Sequence, residues 1–166
     1  MSAETLAIID GHYYAYKFHF GMPFLTGPGG RPTGVTYAFA NLLKDLRDRR
    51  EITHWVAVFD APGKTFRDDW YAEYKANRSA MPVDLALQIE PIHEAVKLLG
   101  WPVLTVPGIE ADDTIGTLCK VAAAAGYKVI VSTGDKDLAQ LVGPQVTLVN
   151  TMNNERLDPA GVVEKF

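Results

Sequence analysis

A chain of 166 residues, 48% of them apolar, can bury one full core and is too short for two ordinary ones. Its formal charge of −4, from 16 basic and 20 acidic residues, on its face disfavours a nucleic-acid partner. A single cysteine, Cys119, excludes an internal disulfide, and no apolar run nears membrane-spanning length, so a soluble, non-exported cytoplasmic protein with no membrane partner is expected.

In chain order, residues 6–9 are a continuous apolar run ended by Asp10-Gly11, the pattern of a buried parallel strand whose last residue points into the crevice at the sheet's end. Residues 12–20 follow, with Tyr13, Tyr14, Tyr16, Phe18 and Phe20 either packing a helix on that sheet or lining a stacking surface for bases. Lys17, the one strongly basic side chain near Asp10, can reach a phosphate or snorkel to water. Residues 23–34 are a Gly/Pro loop, after which Thr33 is placed to cap a helix marked by Tyr37, Phe39, Leu42, Leu43 and Leu46.

Residues 55–59 predict a second strand, ended by Asp60. From 61 to 81 the apolar period is lost, and Phe66, Trp70, Tyr71 and Tyr74 interleave with Lys64, Arg67, Lys75 and Arg78. That is the composition of a nucleic-acid surface, although Asp68, Asp69 and Glu73 nearly cancel the bases. Pro82 opens a helix to Leu99 that Pro91 should kink or split after Glu90, and Gly100 is its natural stop.

A third strand over 102–106 delivers the chain to Gly108-Ile109-Glu110-Ala111-Asp112-Asp113. If Ala111 opens the next helix, Asp112 and Asp113 lie in its first turn, where the backbone N–H groups favour negative charge. Cys119 falls on the apolar face of that helix as a small core residue, and Gly126 ends it. Residues 129–131 are a fourth strand leading into Ser132-Thr133-Gly134-Asp135-Lys136-Asp137; a short helix over 138–142, a fifth strand over 146–149 and a last helix capped by Asp158-Pro159 complete the pattern. This alternation predicts an α/β fold, a doubly wound, mostly parallel sheet with one long insertion after the second strand.

An acid after a strand is commonly a helix cap or a solvated loop residue. Seven of them (Asp10, Asp60, Glu110, Asp112, Asp113, Asp135 and Asp137) at the ends of four successive β-runs would gather in one crevice, the usual ligand site of such a sheet. Hard oxygen donors without a His/Cys set point to Mg²⁺ or Mn²⁺. With those seven set aside, 13 acids face 16 bases, so net charge does not exclude a phosphate backbone. His12, His19, His54 and His93 have no metal-ligand spacing and read as structural or incidental.

Six motifs together resemble the 5′–3′ exonuclease/flap endonuclease family in order and spacing over nearly the whole chain. They are Ile9-Asp10-Gly11, Val58-Phe59-Asp60, Thr65-Phe66-Arg67, Tyr74-Lys75-Ala76-Asn77-Arg78, residues 106–113 and residues 132–138. The resemblance implies a PIN-like, resolvase-like domain over 1–166 with two divalent ions, Mg²⁺ with Mn²⁺ as substitute. Asp10, Asp60, Glu110 and Asp112 would lie nearer the first ion and Asp113, Asp135 and Asp137 nearer the second. It implies that 61–82 is a helical arch passing a single-stranded 5′ end of DNA, with Lys17, Arg67, Lys75 and Arg78 as phosphate contacts and Tyr74 as a stacking residue. Lys17 stands where the family usually has Arg, which keeps the charge and loses the bidentate fork. The family's helix–three-turn–helix is expected to lie beyond these residues, and fusion to a DNA polymerase in a longer bacterial parent is left open, as is oligomeric state. Two rival readings stand beside a 5′ nuclease: a PIN-type ribonuclease or phosphatase, and a non-catalytic DNA-binding module.

Overall fold

The computed structural model describes residues 3–166. Six strands, β1 (Thr5–Asp10), β2 (His54–Val58), β3 (Val103–Leu104), β4 (Lys128–Ser132), β5 (Val146–Asn150) and β6 (Glu155–Leu157), form one sheet in the order β3-β2-β1-β4-β5-β6. Every neighbouring pair is parallel except β5 with β6. The chain winds outward from β1 to β3, then returns to lay β4 on the other side of β1. That reversal opens a crevice between the carboxyl ends of β1 and β4.

The middles of β1, β2 and β4 are continuous apolar runs because both faces of the sheet are covered there. Successive side chains alternate between faces, so Ile8, Val58, Val129 and Val131 enter one core while Ala7, Ile9, Ala57, Phe59 and Ile130 enter the other. The second core is closed by α1 (Gly11–Gly21), α2 (Gly34–Arg47) and α4 (Val83–Leu98). The first is closed by α5 (Ala111–Ala124), with a 3₁₀ turn at Lys136–Leu141 and α6 (Pro159–Lys165) beside it. Cys119 is buried in this core, which pushes its thiol up to about 11. Gly100 and Gly126, at φ 87° and 89°, reverse the chain just past α4 and α5 as a residue without Cβ can.

Three sequence expectations are corrected and one strand is added. The third strand keeps only two residues, because Pro107 and Gly108 (φ 77°) already turn the chain toward α5. Of the two outcomes expected at Pro91, the split after Glu90 does not occur, and α4 runs through it. The carbonyl that loses its donor belongs to Leu87, on an exposed residue where water can replace it. Thr33 occupies the N-cap of α2 without a side-chain cap bond; only its carbonyl accepts, from Tyr37 N–H at 2.9 Å. Strand β6 was not predicted, since three residues with one apolar side chain carry no period.

The expected helical arch over 61–82 is helical only at α3 (Phe66–Trp70), followed by turns through residue 77. Of the aromatics on α1, Tyr14 and Phe18 are core, while Tyr13, Tyr16 and Phe20 reach the surface of the crevice. Among the described residues no helix is long and apolar enough to cross a membrane.

Gly11 opens α1 directly against Phe59, and a Cβ there would overlap the Phe59 ring. That ring has little room to withdraw, with Phe39 at 5.7 Å and His93 at 4.3 Å between centroids. Gly11→Ala should therefore destabilise the fold by ~1–3 kcal/mol through overpacking, against the ~1 kcal/mol gain that helix propensity alone would give. Adding Phe59→Leu should recover part of the loss, as read from urea-unfolding midpoints of the two variants.

Candidate metal centre and nucleic-acid interface

Asp10, Asp112 and Asp135 each bring a carboxylate oxygen within 4.8 Å of the others. Each is delivered by a different element: Asp10 ends β1, Asp112 lies in the first turn of α5, and Asp135 starts the 3₁₀ turn after β4. The three therefore meet at the point where the sheet order reverses. Asp10 is 4% exposed and hydrogen-bonded on both oxygens, Oδ1 accepting from Tyr13 N–H at 3.3 Å and Oδ2 from the Thr133 hydroxyl at 2.9 Å.

Burial raises the Asp10 carboxyl to about 7; the bonds from Thr133 and Tyr13 oppose that rise, and Asp112 and Asp135 add to it. Asp112 is likewise held above the usual carboxylate range, first by partial enclosure and then by the charges of Asp135, Asp60 and Glu110. Groups so placed favour a cation among them. Three carboxylates with no nitrogen or sulfur donor suit a hard divalent ion of the Mg²⁺ or Mn²⁺ kind.

The other four acids are engaged differently. Asp60 lies on the exposed side, where its Oδ1 accepts the first N–H of α5, from Ala111, at 2.7 Å. Its own N–H donates to His12 Nδ1 at 3.0 Å, which leaves that imidazole neutral with its proton on Nε2; burial lowers its basicity in the same sense. Glu110 accepts from Arg67 at 3.2 Å, from the Tyr74 hydroxyl at 3.1 Å, and from Lys75. Asp113 pairs bidentately with Arg67, a contact that lowers the Asp113 carboxyl and raises the guanidinium. Asp137 is exposed and donates its N–H to Asp135 Oδ1 at 2.9 Å.

Lys75 takes a left-handed backbone, φ 55°, at a cost of ~1–2 kcal/mol for a residue with a Cβ. Its pairing with Glu110 helps hold it there. One tight trio draws from each of the two expected groups, and Glu110 and Asp113 bind the bases of residues 61–82.

Two open grooves meet at this cluster. One, of about 500 Å³, has Asp10, Asp112, Asp135 and Asp137 at its floor, with Lys17, Lys75 and Arg78 among the cations and Tyr13, Tyr16 and Phe20 among the aromatics of its walls. The other, of about 510 Å³, runs past Arg67, Tyr74, Asp113 and Lys120 and shares Asp112 and Asp137 with the first. Lys17 and Arg78 are exposed, and no ion pair engages them among the described residues.

Residues 5–166 match the model of the 5′–3′ exonuclease N-terminal resolvase-like domain. The chain belongs to this family. It is 51% identical over its whole length to DNA polymerase I of Pseudomonas aeruginosa and 41% identical over 163 residues to a 5′–3′ exonuclease of Aquifex aeolicus. It spans 18% of the first and 56% of the second. Among solved structures, the zinc-bound T5 5′-exonuclease superimposes with a TM-score of 0.72 at 20% identity, over 93% of this chain and 58% of that one. Flap endonuclease-1 of Methanococcus jannaschii gives 0.60 at 18%, over 98% of this chain and 59% of that one. At such identities these two likenesses show the fold alone.

Within this exonuclease domain, sequence reading passed over Thr133 and the role of His12. Thr133 N-terminal to Gly134-Asp135 carries a local signal, since a threonine two residues before an N–H can form an ST-turn, as its hydroxyl does with Asp135 N–H at 3.0 Å. Its reach to Asp10, 123 residues away, has no local signature.

Millimolar Mn²⁺ or Mg²⁺ should raise the melting midpoint above that in EDTA, by ~2.7 kcal/mol of stability at a concentration about 100-fold above Kd. The Asp10 carboxyl titrates at about 7 in the fold against 3.8 ordinarily, so its contribution favours the fold below pH 3.8 and is lost as pH rises through about 7. Cation stabilisation should therefore be larger at a pH of about 8 than at about 5, and an unchanged midpoint at both would exclude a cation cluster. Asp112→Asn, which removes one of the like charges, should stabilise the cation-free protein and abolish the cation response.

Proposed function

We propose that this chain carries the catalytic centre of a structure-selective 5′ nuclease, a 5′–3′ exonuclease/flap endonuclease that hydrolyses DNA phosphodiester bonds with divalent ions. The observation that carries the reading is the carboxylate trio at the sheet's switch point, opening into a groove walled by Lys17, Lys75 and Arg78 and by exposed aromatics. Membership of the exonuclease family supports it.

Asp10, Asp112 and Asp135 would hold a first ion, and Asp60, Glu110, Asp113 and Asp137 stand around the trio for a second, with Mg²⁺ the ordinary ion and Mn²⁺ a substitute. When bound, such ions supply Lewis acidity at a phosphodiester and favour in-line attack by water. The chain's own residues grip and orient the strand. Lys75 and Arg78 offset charge developing on the phosphoryl oxygens, Lys17 contacts a neighbouring phosphate, and Tyr74 offers a face to a base. Arg67 and Lys75 can turn to phosphate only by leaving Asp113 and Glu110, so release of those acids and capture of the strand would be one exchange of partners. In this reading residues 61–82 serve as the arch along which a single-stranded 5′ end passes.

The test is a panel of 5′-flap DNA, single-stranded DNA, single-stranded RNA and a small phosphomonoester, each with Mg²⁺ and with Mn²⁺. Preference for DNA with a free 5′ end is expected; cleavage confined to RNA or the monoester would overturn the assignment, and DNA binding unchanged by ion removal with no turnover would make the chain a binding module. Lys75→Ala should lower the DNA-cleavage rate by ~10²–10³-fold, the usual cost of one transition-state donor, with cation affinity little changed. Equal loss of both would place Lys75 in the fold of the site instead of on the phosphate.

A further inference from the structure

Two carboxylates of the trio hang from strands that are neighbours across the crevice, and one hydroxyl joins them. Thr133 is 2% exposed. Its hydroxyl has a single hydrogen, which goes to Asp10 Oδ2 at 2.9 Å, and its oxygen accepts Asp135 N–H at 3.0 Å. Once Asp10 is ionised, as it must be to hold a cation, the polarity is fixed: an ionised carboxylate can only accept and an amide can only donate. The residue that carries this hydroxyl is itself held. Its backbone N–H donates to the Val149 carbonyl at 3.1 Å, extending the β4–β5 ladder by one residue, and branching at Cβ restricts its χ1.

Directly before it, Ser132 Oγ lies 2.9 Å from the Tyr14 hydroxyl and 2.8 Å from Thr151 Oγ1. This buried network ties β4 to α1 and to the turn after β5, yet touches no carboxylate. The two adjacent hydroxyls thus have separate duties: Ser132 binds elements to one another, and Thr133 binds the backbone of one acid to the carboxylate of another.

We propose that Thr133 is a positioning residue of the cation site, fixing the rotamer of Asp10 and its spacing from Asp135 and thereby setting affinity for a divalent ion. The proposal rests on the reading of the trio as a cation site. Groups one step outside the ligands commonly change metal affinity by ~10–100-fold when removed. Thr133→Val keeps the shape and the β-branch, removes the donor to Asp10 Oδ2, and leaves Asp135 N–H without a partner. Thr133→Ser restores both bonds and gives up only the methyl group.

The experiment is calorimetric titration of the folded chain with Mn²⁺ alone, with circular dichroism as the check on folding. Expected is a Kd for Thr133→Val ~10–100-fold above the parent's, a Thr133→Ser value close to the parent's, and Ser132→Ala at the parent's Kd despite a lowered melting midpoint. Should the valine variant fail to fold, Thr133→Ala removes the same hydroxyl without setting a methyl group against the carboxylate, and the same weakening is expected. Parent-like affinity in a folded Thr133→Val or Thr133→Ala would overturn the positioning role, as would equal weakening by Ser132→Ala, which would make the effect one of general stability. Absence of Mn²⁺ binding by the parent itself is a different outcome, and it would remove the cation reading on which the proposal stands.

Discussion

A carboxylate 4% exposed to water, with two more acids close enough to share one ion, is a state the local chain would avoid by protonation or by moving apart. Moving apart is blocked here, because each acid is fixed to a different rigid element at its point of exit from the core, and protonation is taken only in part, as the raised Asp10 and Asp112 carboxyls show. Asp10 sits on the last residue of β1, whose preceding three residues are fully buried. Asp112 is carried by α5, whose first N–H is bound by Asp60, and Asp135 by a turn tied to Thr133. The repulsion is therefore stored in the fold, and the apolar packing of the sheet's two faces offsets it. A cation entering the crevice would find its donors already gathered, with little further ordering entropy to lose.

The same economy of contacts governs the basic residues. Arg67 and Lys75 do not project freely but close on Glu110 and Asp113, so that residues 61–82 are fastened to the start of α5 by charge. Little apolar packing holds this segment otherwise: its aromatics Trp70 and Tyr71 are 81% and 60% exposed. A segment secured mainly by half-exposed ion pairs is sensitive to salt and to any competing polyanion. That property suits the exchange of a protein carboxylate for a phosphate that we propose for this segment, and would suit a rigid wall poorly.

The placement of the crevice follows from topology alone. Crossovers from an interior β1 send the chain first to one side and then to the other, and the reversal leaves the carboxyl ends of β1 and β4 without a connection covering them. Everything with a chemical role enters there: the N-termini of α1 and α5, the turn after β4, and the groove-facing side of α1 with Tyr13, Tyr16 and Lys17.

Much of this was legible in the order of the residues. Short apolar runs bounded by turn or polar residues are local signals, and they gave the five parallel strands, while the acids shortly after four of them gave the crevice as their meeting place, because each signal depends only on a residue and its near neighbours. The weak signals failed where a local rule met a long-range partner. Pro91 stays within α4 because its helix is held by packing through Leu85, Ile92 and Val96, and β6 forms because β5 offers it an open edge. Which acids would meet was beyond the sequence as well. Spacing treats Glu110, Asp112 and Asp113 as equivalent, but successive residues of a helix point about 100° apart, so Asp112 turns to Asp10 and Asp135 while Asp113 turns to Arg67. Residue types and strand ends fixed the class of chemistry; helical phase, and hydroxyls such as Thr133 that bridge strands distant in sequence, decided the geometry, since both are set only when the elements dock.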